Sequence, residues 1–134
     1  MAYSLMVISE PRDKEKIKPN HIYLAPANYH LYIEPDNTFA LSTEEPVNHS
    51  RPSIDISFVS AAYVLKKKLT GIILSGANKD GAQGLKQIAE QKGNVLIQSI
   101  KEAQVQTMPQ YAKDLVPMAK EYTISEIIEY ILNC

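Results

Sequence analysis

Residues 71–84 read Gly71-Ile72-Ile73-Leu74-Ser75-Gly76-Ala77-Asn78-Lys79-Asp80-Gly81-Ala82-Gln83-Gly84, and this stretch decides the fold. Leu69 to Leu74 is short, apolar and rich in β-branched residues, the composition of a parallel strand covered on both faces. The strand ends in Ser75-Gly76, and Ala82, Leu85, Ile88 and Ala89 then recur at helical spacing, so a helix follows. The loop between them lies at the carboxyl end of a strand and the N-terminus of a helix, where open α/β sheets keep their ligand crevice.

Downstream the alternation repeats. Gly93 stands where a helix C-cap glycine is expected, and Asn94 to Ile100 reads as a second buried strand. Thr107-Met108-Pro109 opens a short helix with proline in its first turn, and Glu121 to Ile124 reads as a last short strand. Thr123-Ile124-Ser125-Glu126 has capping-box spacing, followed by an apolar stripe of Ile127, Ile128, Ile131 and Leu132.

Upstream, Ser53 after Pro52 is placed as an N-cap that accepts backbone N–H bonds. Ile54, Phe58, Ala61, Ala62 and Leu65 form the stripe of a helix running to about Lys67, closed by Lys66-Lys67-Lys68 at the negative end of its dipole. Period-two alternation around Ile22 and Leu24, Leu31 and Ile33, and Phe39 and Leu41 predicts half-buried strands. Ala27-Asn28-Tyr29 and Pro35-Asp36-Asn37 turn between them, giving a β-meander, and Tyr3 to Ile8 predicts one more strand. The expectation is a single α/β domain over 1–134, a three-layer sandwich with a mostly parallel sheet plus an antiparallel hairpin or meander.

Composition narrows the function. The chain has 134 residues, 45% hydrophobic and 22% charged, as expected for one compact domain. Its 14 basic and 15 acidic residues leave a formal charge of −1 with no basic tract, which argues against a nucleic-acid partner. The single cysteine, Cys134, permits no intrachain disulfide, and Met1 to Ile8 lacks the basic start and length of an export signal. No apolar stretch approaches a membrane span, so a cytoplasmic address without membrane insertion is expected. His21, His30 and His49 show no i, i+4 pairing, and no carboxylate cluster completes a ligand set, so neither metal nor cofactor is expected.

The 75–82 loop carries the chemistry. Gly76 and Gly81 allow close backbone approach, and the helix N-terminus offers N–H groups and partial positive charge to a developing oxyanion. Asp80 is suited to orienting a histidine. The same spacing also fits Asp80 or Asn78 as a cap of the helix that follows, worth about 1 kcal/mol. The loop is not a phosphate cradle, because Ala82 and Gln83 stand where Lys and Ser or Thr are required. A second polar segment, Pro46-Val47-Asn48-His49-Ser50-Arg51-Pro52-Ser53-Ile54-Asp55, precedes a helix, and Arg51 there has the planar fork that grips a carboxylate. His49 reads as a solvated loop residue.

Three motifs together resemble the chemotaxis methylesterase CheB. They are Ile22-Tyr23-Leu24-Ala25-Pro26 through His30-Leu31, Pro46 through Asp55, and the segment from Gly71 to Gly84. Met108-Pro109 resembles a later motif of the family near its site, so the likeness runs from about Val7 to the C-terminus.

The resemblance implies hydrolysis of receptor glutamate methyl esters and deamidation of receptor glutamines, with a methyl-accepting chemotaxis receptor as partner. It implies that Asp80 is the aspartate of a Ser-His-Asp triad and that the Ala77 backbone N–H helps hold the oxyanion, with Gly76, Asn78 and Gly81 around it and Arg51 and Met108 toward substrate. The family usually has Met at position 77.

The family's serine-bearing turn and histidine-bearing strand precede the part that matches here. No receiver domain is recognised either. Ser4 and Ser9 lack the Gly-rich turn of a nucleophile, and none of the three histidines matches the catalytic position. The expectation is a domain truncated at its N-terminus, inactive alone, that covers its open faces by self-association or with a complementing N-terminal segment. The alternatives are a non-catalytic receptor-binding module and a structural fragment.

Overall fold

The computed structural model describes residues 6–134; of the strand expected over Tyr3 to Ile8, Tyr3 to Leu5 lie outside the described residues, as does Ser4. The strands are β1 (Val7–Ser9), β2 (His21–Tyr23), β3 (His30–Ile33), β4 (Phe39–Ser42), β5 (Thr70–Ile73), β6 (Asn94–Gln98) and β7 (Lys120–Tyr122). The helices are α1 (Ile54–Leu65), α2 (Ala82–Glu90), α3 (Thr107–Leu115) and α4 (Ile124–Leu132), and a 3₁₀ turn over Lys66–Lys68 closes α1.

The parallel sheet has the order β5-β6-β7, with Gly71 opposite Val95 and Ile97 opposite Glu121. β6 is the central strand, which is why Val95-Leu96-Ile97 is an unbroken apolar run buried on both faces. Leu85 and Ile88 of α2 are fully buried against it with Ile73, Val95 and Ile97, and Ala112 and Val116 close the cluster from α3. Burial of each large side chain stabilises by roughly 1.5–3 kcal/mol.

α1 crosses α2 at close range. A Cβ at Gly84 would lie 2.5 Å from Phe58 Cβ and 3.2 Å from the Asp55 backbone, so only glycine permits this approach. Gly81 enters α2 at φ +103°, a conformation that side-chain-bearing residues rarely take.

The predicted meander resolves into two separate pairs. β3 and β4 form an antiparallel hairpin with Leu31 opposite Leu41, whereas β2 pairs in parallel with β1, Ile8 opposite Ile22. The 14–17 segment runs beside the hairpin instead: Lys14 N–H donates to Phe39 O at 2.7 Å and Ile17 N–H to Asn37 O at 2.8 Å. At the end of α2 the left-handed residue is Lys92 (φ 72°), not Gly93, and Gly93 N–H donates to Ile88 O at 2.9 Å. A Cβ at Gly93 would press on Ile88 and Leu69, so close packing selects glycine there.

The capping box of α4 forms as its spacing predicts: Glu126 N–H donates to Thr123 Oγ1 and Thr123 N–H to Glu126 Oε1. Its apolar stripe is another matter. Ile127 is buried, but Ile128, Ile131 and Leu132 are exposed.

Candidate functional site

Asp80 sits between Lys79 and the left-handed Gly81, and its side chain is 2% exposed. Its Oδ1 accepts from Ser53 Oγ at 2.8 Å, Asn48 Nδ2 at 3.1 Å and the Asp55 N–H at 3.2 Å, while Oδ2 accepts from the Ile54 N–H. The carboxylate therefore caps α1, not the helix that follows it. Charge and dipole agree, because two free N–H groups and the positive end of α1 face a full negative charge. Ser53 accordingly does not accept a bond as an N-cap; its hydroxyl donates to the stronger, charged acceptor.

α2 is capped in return. Asp55, in the first turn of α1, accepts at Oδ1 from the Gly81 N–H at 3.0 Å and the Gly84 N–H at 2.7 Å. Asn48 Nδ2 donates to Asp55 Oδ2 at 2.7 Å as well as to Asp80. Each helix thus has its N-terminus satisfied by a carboxylate of the other segment, and one amide joins the two.

The loop before Asp80 is stitched to the segment before α3. Ser75 N–H donates to Gln98 Oε1 at 2.8 Å, Gly76 N–H to Val105 O at 3.1 Å, and Met108 N–H to Gly76 O at 2.9 Å. Gly76 and Met108 are thus brought together, and a Cβ at Gly76 would meet the Met108 side chain at 2.8 Å. Asn78 Oδ1 accepts from the Asp80 N–H at 2.9 Å, an Asx turn that presents the carboxylate. Ala77 is exposed beside it, and among the described residues no acceptor takes its N–H. Lys79 Nζ lies 4.9 Å from the centre of the Tyr111 ring.

Arg51 is held elsewhere. Its Nη1 donates to Thr43 O at 3.1 Å and Glu44 O at 3.3 Å, and its Nε is enclosed with no acceptor among the described residues. Glu44 in turn accepts from Tyr32 Oη at 2.8 Å and Ser42 Oγ at 2.9 Å, and these bonds, the tyrosine's first, hold its carboxyl below the usual range. Burial, and then that same bond, pushes the Tyr32 phenol up.

Sequence reasoning missed Asn48, Ser53, Asp55 and His30 as partners of Asp80 and its surroundings. His30 is fully buried; its Nδ1 accepts from the Ser53 N–H at 3.2 Å, so Nε2 carries the proton and donates to Glu45 O at 2.8 Å. Ser53, His30 and Asp80 cluster without forming a triad, because the Ser53 hydroxyl points to the carboxylate and no imidazole nitrogen faces it. Among the described residues no group of three His, Cys, Asp or Glu side chains is spaced to hold a metal ion, and no helix is long and apolar enough to cross a membrane.

The model of the CheB methylesterase family matches residues 2–131. The chain is 45% identical over 126 residues to a Leptospira interrogans relative, aligning 94% of this chain with 65% of that one. It is 33% identical over 129 residues to protein-glutamate methylesterase/protein-glutamine glutaminase 1 of Dechloromonas aromatica, 94% of this chain against 37% of the relative. It thus spans less than two thirds of either relative's length. Among solved structures it is similar to the Thermotoga maritima CheB methylesterase catalytic domain, with a TM-score of 0.87 and 28% identity over 92% of this chain and 67% of that one.

Proposed function

The chain belongs to the CheB methylesterase family, and from that premise we propose that it supplies the aspartate side of a Ser-His-Asp site that hydrolyses methyl esters of glutamates on a methyl-accepting chemotaxis receptor in the cytoplasm. In that reading a serine hydroxyl attacks the ester carbonyl while a histidine takes its proton, and the Asp80 carboxylate orients the imidazole and stabilises its charge. The Ala77 N–H holds the oxyanion beside Gly76, Asn78 and Gly81; methanol leaves with the proton, and water cleaves the acyl-enzyme to the glutamate carboxylate. With a glutamine the same steps release ammonia. Met108, packed against Gly76, lines the approach for substrate.

The observation that carries this reading is the Asp80 loop, a buried carboxylate on an Asx turn at the carboxyl end of a parallel strand, next to the exposed Ala77, whose N–H has no acceptor among the described residues. The serine and histidine are proposed to come from a complementing segment. In support, the β1–β2 pair exposes Val7, Ile8, Ile22 and Leu24, and a groove of about 460 Å³ between β3 and α1 is lined by Ile33, Ile56, Val59, Tyr63 and Val64. A second reading, a module that binds receptor peptide without turnover, is favoured by the four hydrogen bonds that already hold the Asp80 carboxylate to α1 and its preceding turn.

The deciding experiment measures methanol release from methylated receptor, by the chain alone and after mixing with a separately made N-terminal segment bearing the family serine and histidine. The expected outcome is turnover only in the mixture, lowered about 10⁴-fold by Asp80→Asn in a variant with unchanged circular dichroism. Receptor-peptide binding without turnover in either sample selects the second reading.

A further inference from the structure

Asn48 is the hinge of the crossed caps. It sits with His49 at the centre of a two-residue turn in which both have positive φ, 53° and 64°, while Val47 and Ser50 exchange N–H···O bonds at 3.0 and 2.9 Å. That geometry is the mirror-image turn in which asparagine is among the few tolerated residues. The turn delivers one amide nitrogen to two carboxylates, at 2.7 Å to Asp55 and 3.1 Å to Asp80. Carboxylates at these contacts only accept, so the nitrogen, not the oxygen, of the Asn48 amide must face them, and its two hydrogens are both used.

We propose that Asn48 is a positioning residue that clamps Asp80 to Asp55, fixing the carboxylate so that Oδ2 is the oxygen left for a histidine N–H. This rests on reading Asp80 as the triad aspartate. Oδ1 already accepts from three donors, whereas Oδ2 accepts from the Ile54 N–H alone and keeps a lone pair free. Asp55 anchors the other end, because its Oδ1 is bound to the first N–H groups of α2, the helix that Asp80 precedes. Without the amide, Asp55 Oδ2 loses the donor that joins it to Asp80. The clamp therefore holds Asp80 side by side with Asp55 and stops its loop from turning away from α1.

The test needs no activity to begin with. Amide hydrogen exchange is followed in the chain as it stands and in Asn48→Asp, which keeps the volume but replaces both donated hydrogens with a third negative charge. Expected is exchange at least about tenfold faster at Ile54, Gly81 and Gly84, the capped amides of both helices, with Val95 and Ile97 of β6 unchanged. Unchanged rates at the capped amides, or a change at one helix alone, overturn the clamp. If β6 accelerates equally, the variant has unfolded, and Asn48→Ser, which keeps a single shorter donor, decides by the same comparison. In the complemented enzyme Asn48→Ser is expected to lower kcat about tenfold with KM within about twofold, whereas unchanged kcat overturns the positioning role. Silence of the wild-type mixture counts against the esterase reading alone, and the exchange comparison still decides whether the clamp exists.

Discussion

Two of the parallel strand pairs, β5–β6 and β1–β2, have opposite fates. In β5–β6, Ile73, Val95, Leu96 and Ile97 are all under 8% exposed; α2 and α3 pack over Ile73, Val95 and Ile97, and β7 extends the sheet beside β6. In β1–β2, Val7 and Ile8 are 53% and 61% exposed and Ile22 is 40% exposed. The residue types are the same. Parallel pairing is stable when both faces are covered, so the difference lies in what covers the strands and not in how they are written. The covered pair positions Asp80; the open pair leaves its apolar side chains to solvent in this structure.

The largest way to test that contrast is to hollow out the covered side. Leu85 is 0% exposed at the centre of the α2 interface, so Leu85→Ala is expected to cost about 2–5 kcal/mol through lost transfer energy and the cavity left behind. Urea unfolding followed by circular dichroism reads this directly. A loss under 1 kcal/mol would mean that the buried half is not where the stability lies.

The open side should respond in the opposite manner. Ile8→Ser with Ile22→Ser is expected to change the stability of the chain by no more than about 0.5 kcal/mol, as for exposed positions away from any network. The same pair should lower binding of a dye that seeks apolar surface and weaken complementation by the N-terminal segment. A monodisperse monomer with low dye binding in the wild type would sink the idea that this face awaits a cover.

The two halves also differed in how far they were legible. β6 reads directly from sequence because a central strand needs an unbroken apolar run, and the Thr123–Glu126 capping box reads directly because its partners are three residues apart. The crossed caps join residues 25 to 32 positions apart, so no local rule reaches them. Ser53 stands just before its helix, as its position after Pro52 predicts, yet its hydroxyl donates to Asp80, a charged acceptor that the loop before α2 brings in. Asp80 and Gly81 were visible as a loop, but that Asp55 reciprocates was not, since an acidic residue in the first turn of a helix ordinarily serves its own dipole. The β1–β2 pairing escaped because strands of three residues carry too little periodicity to choose between a hairpin and a parallel ribbon.

The smallest expected effect separates the halves by pH. Beside its buried Leu31 and Phe39, the hairpin carries exposed polar contacts, among them Tyr32 Oη donating to Glu44. That bond holds the Glu44 carboxyl below its ordinary value of 4.5, with Ser42 adding to it. A depressed folded-state value means a contribution present above about 4.5 and lost as pH falls through the lowered one. Tyr32 titrates the other way: burial and Glu44 raise it above 10.0, so its contribution is complete below that value and is lost as pH rises through the raised one. Amide protection at Leu31 and Leu41 of the hairpin should therefore decline on acidification below 4.5 in the wild type and decline less in Glu44→Gln, while protection at Ile97 stays level in both. Equal acid sensitivity in the two halves would mean that the hairpin is held by the same buried core as the sheet, and the contrast between them would lose its energetic meaning.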